Sequence, residues 1–174
     1  ANKTAMGAAL SWVLKDGVGI ICSLLFAYKF SPTFNAYPQS WRLVADTLCN
    51  VGLLLNMSVG LFPNHVVAIT TMASICFGCV GIAAGASKSK ISAHLAQKSS
   101  NLGDLIAKES TQESAVTLVG MVLGVVVTST IGNDIMLSWA VFMVCTVFHQ
   151  YANYRLAKVL KFETLNNTRL WLLA

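Results

Sequence analysis

Lys15 and Asp16 stand side by side within an apolar run that extends over residues 6–28, with Gly17 and Gly19 just beyond them. Ionisable groups inside a membrane span bind solutes, relay protons or pair with one another. A lysine there can act as the counter-charge of an anion, and an aspartate as a proton carrier or partner group. Asp46 and Asn50 form a second set, four apart and therefore on one face of a helix. Lys15, Asp16, Asp46 and Asn50 are thus a candidate intramembrane polar site, with Lys15 and Asp46 as the expected pair between helices. The plainer alternative is that these charges only lock the helices together and touch no solute. A third set, Asp104, Lys108, Gln112 and Glu113, is spaced four, four and one apart and is expected to line one helical face. It lies in the longest polar stretch, residues 88–113, where either a protein partner docks or the chain simply connects two spans.

The first pair sets a condition on the fold. A central Lys or Asp opposes insertion by ~3 kcal/mol each, and the apolar residues around them return only ~0.5 kcal/mol apiece, so the run is nearly balanced. It inserts stably only where neighbouring helices or a wet cavity receive both charges. Otherwise it is a helix with its charges on a wet face.

Other chemistries find little support. His65, His94 and His149 are scattered, and no nucleophile elbow or phosphate-cradling glycine loop is present. Cys76-Phe77-Gly78-Cys79 has the spacing of a redox or zinc pair, but it sits in mid-span with no second pair. All five cysteines fall in apolar stretches, where cysteine behaves as a small hydrophobe. The expectation is a protein that is not an enzyme and has no cofactor and no metal.

Composition supplies the elements that position these residues. Of 174 residues, 55% are hydrophobic and 11% charged, against roughly 25% charged in a typical soluble domain. The partner this implies is the lipid bilayer. The net charge of +5 does not point to nucleic acid, because the basic residues flank apolar spans without an aromatic-basic surface motif. Five spans are expected near residues 4–29, 39–62, 66–87, 114–131 and 135–154. They are separated by a proline-bearing linker at 31–38, by Pro63-Asn64, by the polar stretch and by Gly132-Asn133-Asp134. Trp41 and Arg42 read as interfacial anchors. Residues 87–97 can continue the third helix, and Asn101 to Asp104 reads as a turn and cap. Gly81 with Gly85, and Gly120 with Gly124, have the four-residue spacing that lets a second helix approach closely. The fold class is therefore an all-α, polytopic membrane helix bundle of about five transmembrane helices. Residues 1–174 form a single membrane-embedded domain, and a start at Ala1 suggests a fragment of a longer protein.

Charge placement supports five crossings. Ten of the twelve Lys and Arg, from Lys29 to Arg169, then fall on one face of the membrane, while the other has Lys3 and an acidic turn at Asp134. That is the asymmetry of the positive-inside rule. A weaker pattern sets Lys15-Asp16-Gly17 against Lys108-Glu109-Ser110, and Arg42-Leu43 against Arg155-Leu156, as an inverted repeat would. So few residues match that chance explains them at least as well.

Three stretches together resemble the root UVB-sensitive (RUS) family. They are Trp12-Val13-Leu14-Lys15-Asp16-Gly17-Val18-Gly19, Trp41-Arg42-Leu43-Val44-Ala45-Asp46 and Asn101-Leu102-Gly103-Asp104-Leu105-Ile106-Ala107-Lys108-Glu109-Ser110-Thr111-Gln112-Glu113. They occur in family order, and similarity extends to Leu165-Asn166. Two departures stand out: Glu109-Ser110-Thr111 replaces the usual Asp-Gly-Ser, and Ala84-Gly85-Ala86-Ser87-Lys88 the usual Gly-Gly-Ala-Thr-Arg. The resemblance implies a membrane protein of an organelle, plastid or mitochondrion, connected with vitamin B6 homeostasis and, in plants, with ultraviolet-B responses. It brings no agreed biochemical activity. Joined to the polar groups above, it suggests a transporter of a small anionic metabolite such as a B6 vitamer. The alternative is a non-enzymatic scaffold that binds a RUS-family or other protein partner through residues 88–113.

Overall fold

The computed structural model describes residues 5–96 and 101–159. The described residues form five long helices, α1 (Ala5–Phe34), α2 (Pro38–Ser58), α3 (Val66–Ala96), α4 (Leu102–Ile131) and α5 (Ile135–Val159), with short 3₁₀ turns at Val59–Leu61 and Pro63–His65. No strand occurs among the described residues. Four segments, Pro38–Leu61, Pro63–Ala96, Leu102–Ile131 and Ile135–Val159, are long and apolar enough to cross a membrane, with mean hydropathies of 1.4, 2.1, 2.0 and 1.4. α1 is not one of those four, although its 30 residues extend about 45 Å at 1.5 Å per residue. Gln97, Lys98, Lys3, Lys161, Leu165, Asn166 and Arg169 lie outside the described residues.

Helix ends follow local chemistry. α1 continues through the expected linker to Phe34, with Pro32 in its last turn, where only the bond to the Tyr28 carbonyl is forfeited. The N–H groups of Ala36 and Tyr37 then donate to the Thr33 carbonyl, closing a short turn before Pro38 opens α2. Phe62 breaks the chain between the two 3₁₀ turns, and Pro63 restarts it. α3 runs well beyond its apolar part, as residues 87–97 suggested. Asn101 caps α4, its Oδ1 accepting from the Asp104 N–H at 3.3 Å. Gly132, at φ +59°, ends that helix, and Asp134 Oδ1 accepts from the Leu137 N–H at 3.0 Å to begin α5.

The chain divides into two compact units, Ala1–Lys90 with Asn153–Ala174, and Ile91–Ala152. In the first, α1 and α3 cross through small residues. A Cβ on Gly19 would lie 3.1 Å from the Ser74 carbonyl oxygen, and one on Gly78 would lie 2.9 Å from the Gly19 oxygen and 3.2 Å from Ser23 Cβ. Gly19 and Ser23 on α1 thus meet Ser74 and Gly78 on α3, a four-residue small spacing on both sides. The pairing of 19 with 74 and 23 with 78 means that the two helices run parallel. α2 returns antiparallel after its short turn and brings Gly52 against the Phe77 ring, 2.9 Å from an added Cβ. Ala45, Ala73, Ala83 and Ser87 are buried. In the second unit α4 is exposed over nearly its whole length: Val116, Leu118, Met121 and Val125 are uncovered, as are Val144 and Phe148 of α5.

Candidate functional site

The polar residues of α2 stand next to an aromatic elbow between α1 and α2. Phe26, Phe30 and Phe34 recur every four residues on α1 and close around Trp41, with ring centroids 5.5, 5.2 and 4.9 Å from it. The Trp41 indole N–H donates to Thr33 Oγ1 at 3.0 Å. Trp41 is therefore more than an interfacial anchor: it staples the start of α2 to the end of α1. The next residue, Arg42, faces Asp46 one turn on, with Nε 3.6 Å from Oδ1. Asp46 is 7% exposed, and Asn50, a further turn along the same face, is half-buried. A carboxylate this buried remains charged only with a cation beside it.

The expected partner of Asp46 was Lys15, and here the structure differs. Lys15 Nζ lies 3.5 Å from Oδ1 of its neighbour Asp16 and 4.9 Å from the centre of the Trp12 ring. The reason is the level of each residue along the bundle. Lys15 precedes the Gly19 crossing by four residues, about 6 Å, while Asp46 lies about 9 Å to the other side of Gly52, so some 15 Å separate them along the axis. Arg42 is one turn away. Asp16 is exposed and Lys15 half-buried, so this pair sits on a helix flank rather than inside a cavity.

The stretch at 88–113 is helix rather than loop on both sides of its connection. Lys108 Nζ bonds Asp104 Oδ2 at 2.7 Å, the i,i+4 pair its spacing suggests. Gln112 and Glu113 are exposed. At about 100° per residue Glu113 lies roughly opposite Asp104, so the four residues do not share one face. Glu113 instead follows Glu109, which stands outside the four residues of the expected set. Glu109 Oε2 accepts from Ser92 Oγ at 2.9 Å and ties the start of α4 to the end of α3. Its signal was present as half of the Glu109, Glu113 repeat. Ser110, Glu113, Ser114, Thr117, Leu118 and Met121 line a shallow depression on α4 itself.

The glycines expected to admit a second helix are open. An added Cβ at Gly81, Gly85, Gly120 or Gly124 would meet nothing within 4 Å, and the close approaches fall at Gly19, Gly52 and Gly78 instead. Cys22, Cys49, Cys76, Cys79 and Cys145 are free thiols. Among the described residues no group of three His, Cys, Asp or Glu comes together as a metal site.

Comparison with known proteins places this geometry in context. Residues 1–174 match the family described as the vitamin B6 photo-protection and homoeostasis domain. Root UVB sensitive 3 of Arabidopsis thaliana is 33% identical over 168 residues, covering 97% of this chain and 38% of its own length. RUS family member 1 of Dictyostelium discoideum is 32% identical over 176 residues, covering 99% and 33%. Root UVB sensitive 2, chloroplastic, of Arabidopsis thaliana is 29% identical over 169 residues, covering 95% and 38%. The chain thus spans about a third of the length of these relatives. No solved structure matches it.

Proposed function

Because this chain belongs to the root UVB-sensitive family through its vitamin B6 photo-protection and homoeostasis domain, we propose that it is a membrane-embedded carrier domain for a small anionic metabolite of the B6 vitamer kind. The observation that carries this is the Arg42–Asp46 pair, a buried carboxylate and its guanidinium in the first turns of an apolar span, next to four packed aromatic rings. A guanidinium binds phosphate or carboxylate bidentately, and ring faces suit a flat heteroaromatic solute. Asp46 holds Arg42 in place until an anion competes for it. No chemical conversion is required of the site, and the protein acts without catalysis. The setting is an organellar membrane; one relative is named chloroplastic, and plastid and mitochondrion are the two candidates.

The test is uptake of pyridoxal phosphate by liposomes containing the full-length protein. Arg42→Met with Asp46→Leu should leave the protein folded and lower uptake at least about tenfold, the effect of losing one charged hydrogen bond of roughly 1.5 kcal/mol. Uptake equal to that of the wild type would overturn the reading.

A second reading, a scaffold, is favoured by one observation: α4 carries Asp104, Lys108, Gln112 and Glu113 and then a fully exposed apolar length. On this reading a protein partner docks along α4. Gln112→Ala with Glu113→Ala should then abolish function in cells while leaving liposome uptake unaltered.

A further inference from the structure

Gly19 and Gly78 meet where α1 crosses α3, and Gly78 lies close to the midpoint of the apolar span Pro63–Ala96. The crossing therefore sits near the middle of the membrane. Lys15 precedes it by four residues and Asp16 by three, about 6 and 4.5 Å along the helix, well within the ~15 Å half-thickness of the hydrocarbon layer. Charges at that depth face a bundle interior, a wet cavity or another protein, and hardly ever lipid alone.

Within the first unit α2 and α3 cover little of this pair. Met6, Leu10, Trp12, Val13 and Leu14 are 56 to 75% exposed, so the first turns of α1 stand clear of both helices. The Asp16 side chain is 56% exposed and that of Lys15 25%, with 3.5 Å between their charged atoms. The remaining apolar sequence offers them no complement. Asp46 faces Arg42, and apart from Asp46 no Asp, Glu, Lys or Arg occurs from Leu43 to Ser87, from Ser114 to Ile131 or from Ile135 to Tyr154. What does complement a lysine beside an aspartate is the same pair turned around.

We infer that the first half of α1 is the contact between two copies of this chain, related by a two-fold axis along the membrane normal. Neighbouring residues on a helix point about 100° apart, and the exposed Trp12 lies in the angle between Lys15 and Asp16. Two α1 helices set parallel along the Trp12 line place Lys15 of each copy against Asp16 of the other at one depth, so the four charges close into a ring. Polar contacts between helices hold membrane helices together in this way. The contact ends at Gly19, where α3 covers the same line. The association does not depend on transport and leaves the fold of each copy as it is.

The experiment measures the mass of the full-length protein in mild detergent by native mass spectrometry, with two forms distinguished by tags of different size. Wild type should be a dimer. Lys15→Asp and Asp16→Lys should each be monomeric alone, because like charges then face one another, and an equal mixture of the two should form the mixed dimer. If a reversed variant does not fold, Lys15→Gln and Asp16→Asn should each weaken the wild-type dimer about tenfold, the effect of losing one interhelical polar contact. A monomeric wild type would overturn the inference whatever the variants do. So would reversed variants that remain dimeric alone, a mixture that stays monomeric, or neutral variants that dimerise as tightly as the wild type.

Discussion

Two stretches of this molecule carry the same four-residue spacing of small residues and put it to different use. Along α1 and α3, Gly19 with Ser23 and Ser74 with Gly78 bring two backbones together so closely that a methyl group at Gly78 would strike a carbonyl oxygen. Along α4, Gly120 and Gly124 have nothing near them, and the apolar residues on either side are bare. Small residues permit close approach on any face; which face is used depends on what lies opposite. For α1 and α3 the short α1–α2 turn and the Gly52–Phe77 contact bring the faces into register. α4 is tied within its own unit by the bond from Ser92 to Glu109, far from Gly120 and Gly124 along the helix.

The comparison can be broken most sharply at the glycines. Gly78→Leu should destabilise the fold by about 3 kcal/mol, because the neighbour is backbone and cannot yield, whereas Gly124→Leu should stay within about 0.5 kcal/mol. Unfolding in mild detergent, followed by circular dichroism, measures both. Equal effects would mean that α4 is covered by something in the same way as α3.

The next largest effect concerns the ion pairs. Arg42→Met leaves Asp46 buried without its guanidinium and should destabilise by about 2 kcal/mol, while adding Asp46→Leu should recover most of that. Lys15→Met should change stability by less than about 1 kcal/mol, since its partner is exposed Asp16. A Lys15→Met penalty as large as that of Arg42→Met would restore a link between Lys15 and Asp46. In the second unit, Glu109→Ala should lose about 1 kcal/mol with its bond to Ser92, and Asp104→Asn only a few tenths, because a surface i,i+4 pair contributes little. A larger loss at Asp104 than at Glu109 would show that the Lys108 pair, not the Ser92 bond, holds the start of α4.

Much of this architecture was legible in the chain. Apolar runs of about twenty residues, the punctuation at Pro63 and at Gly132-Asn133-Asp134, and the cap at Asn101 are local features, and local chemistry suffices to place helices and their ends. The Asp104–Lys108 pair was legible for the same reason, since both residues ride on one helix. The proline at position 32 misled because its local tendency to stop a helix was overridden by the Phe26, Phe30, Phe34 and Trp41 cluster, a contact between elements.

What the sequence determined by itself is a helical domain with spans apolar enough to cross a membrane, and membership of a family through motifs that survive as contiguous strings. Only the tertiary structure decided that Asp46 belongs to Arg42 and not to Lys15, that Gly19, Gly52 and Gly78 are the crossing points, and that Glu109 is the tie at the head of α4. Those choices depend on the level at which one helix meets another. A rise of 1.5 Å per residue turns an offset of a few positions into a separation no side chain can span.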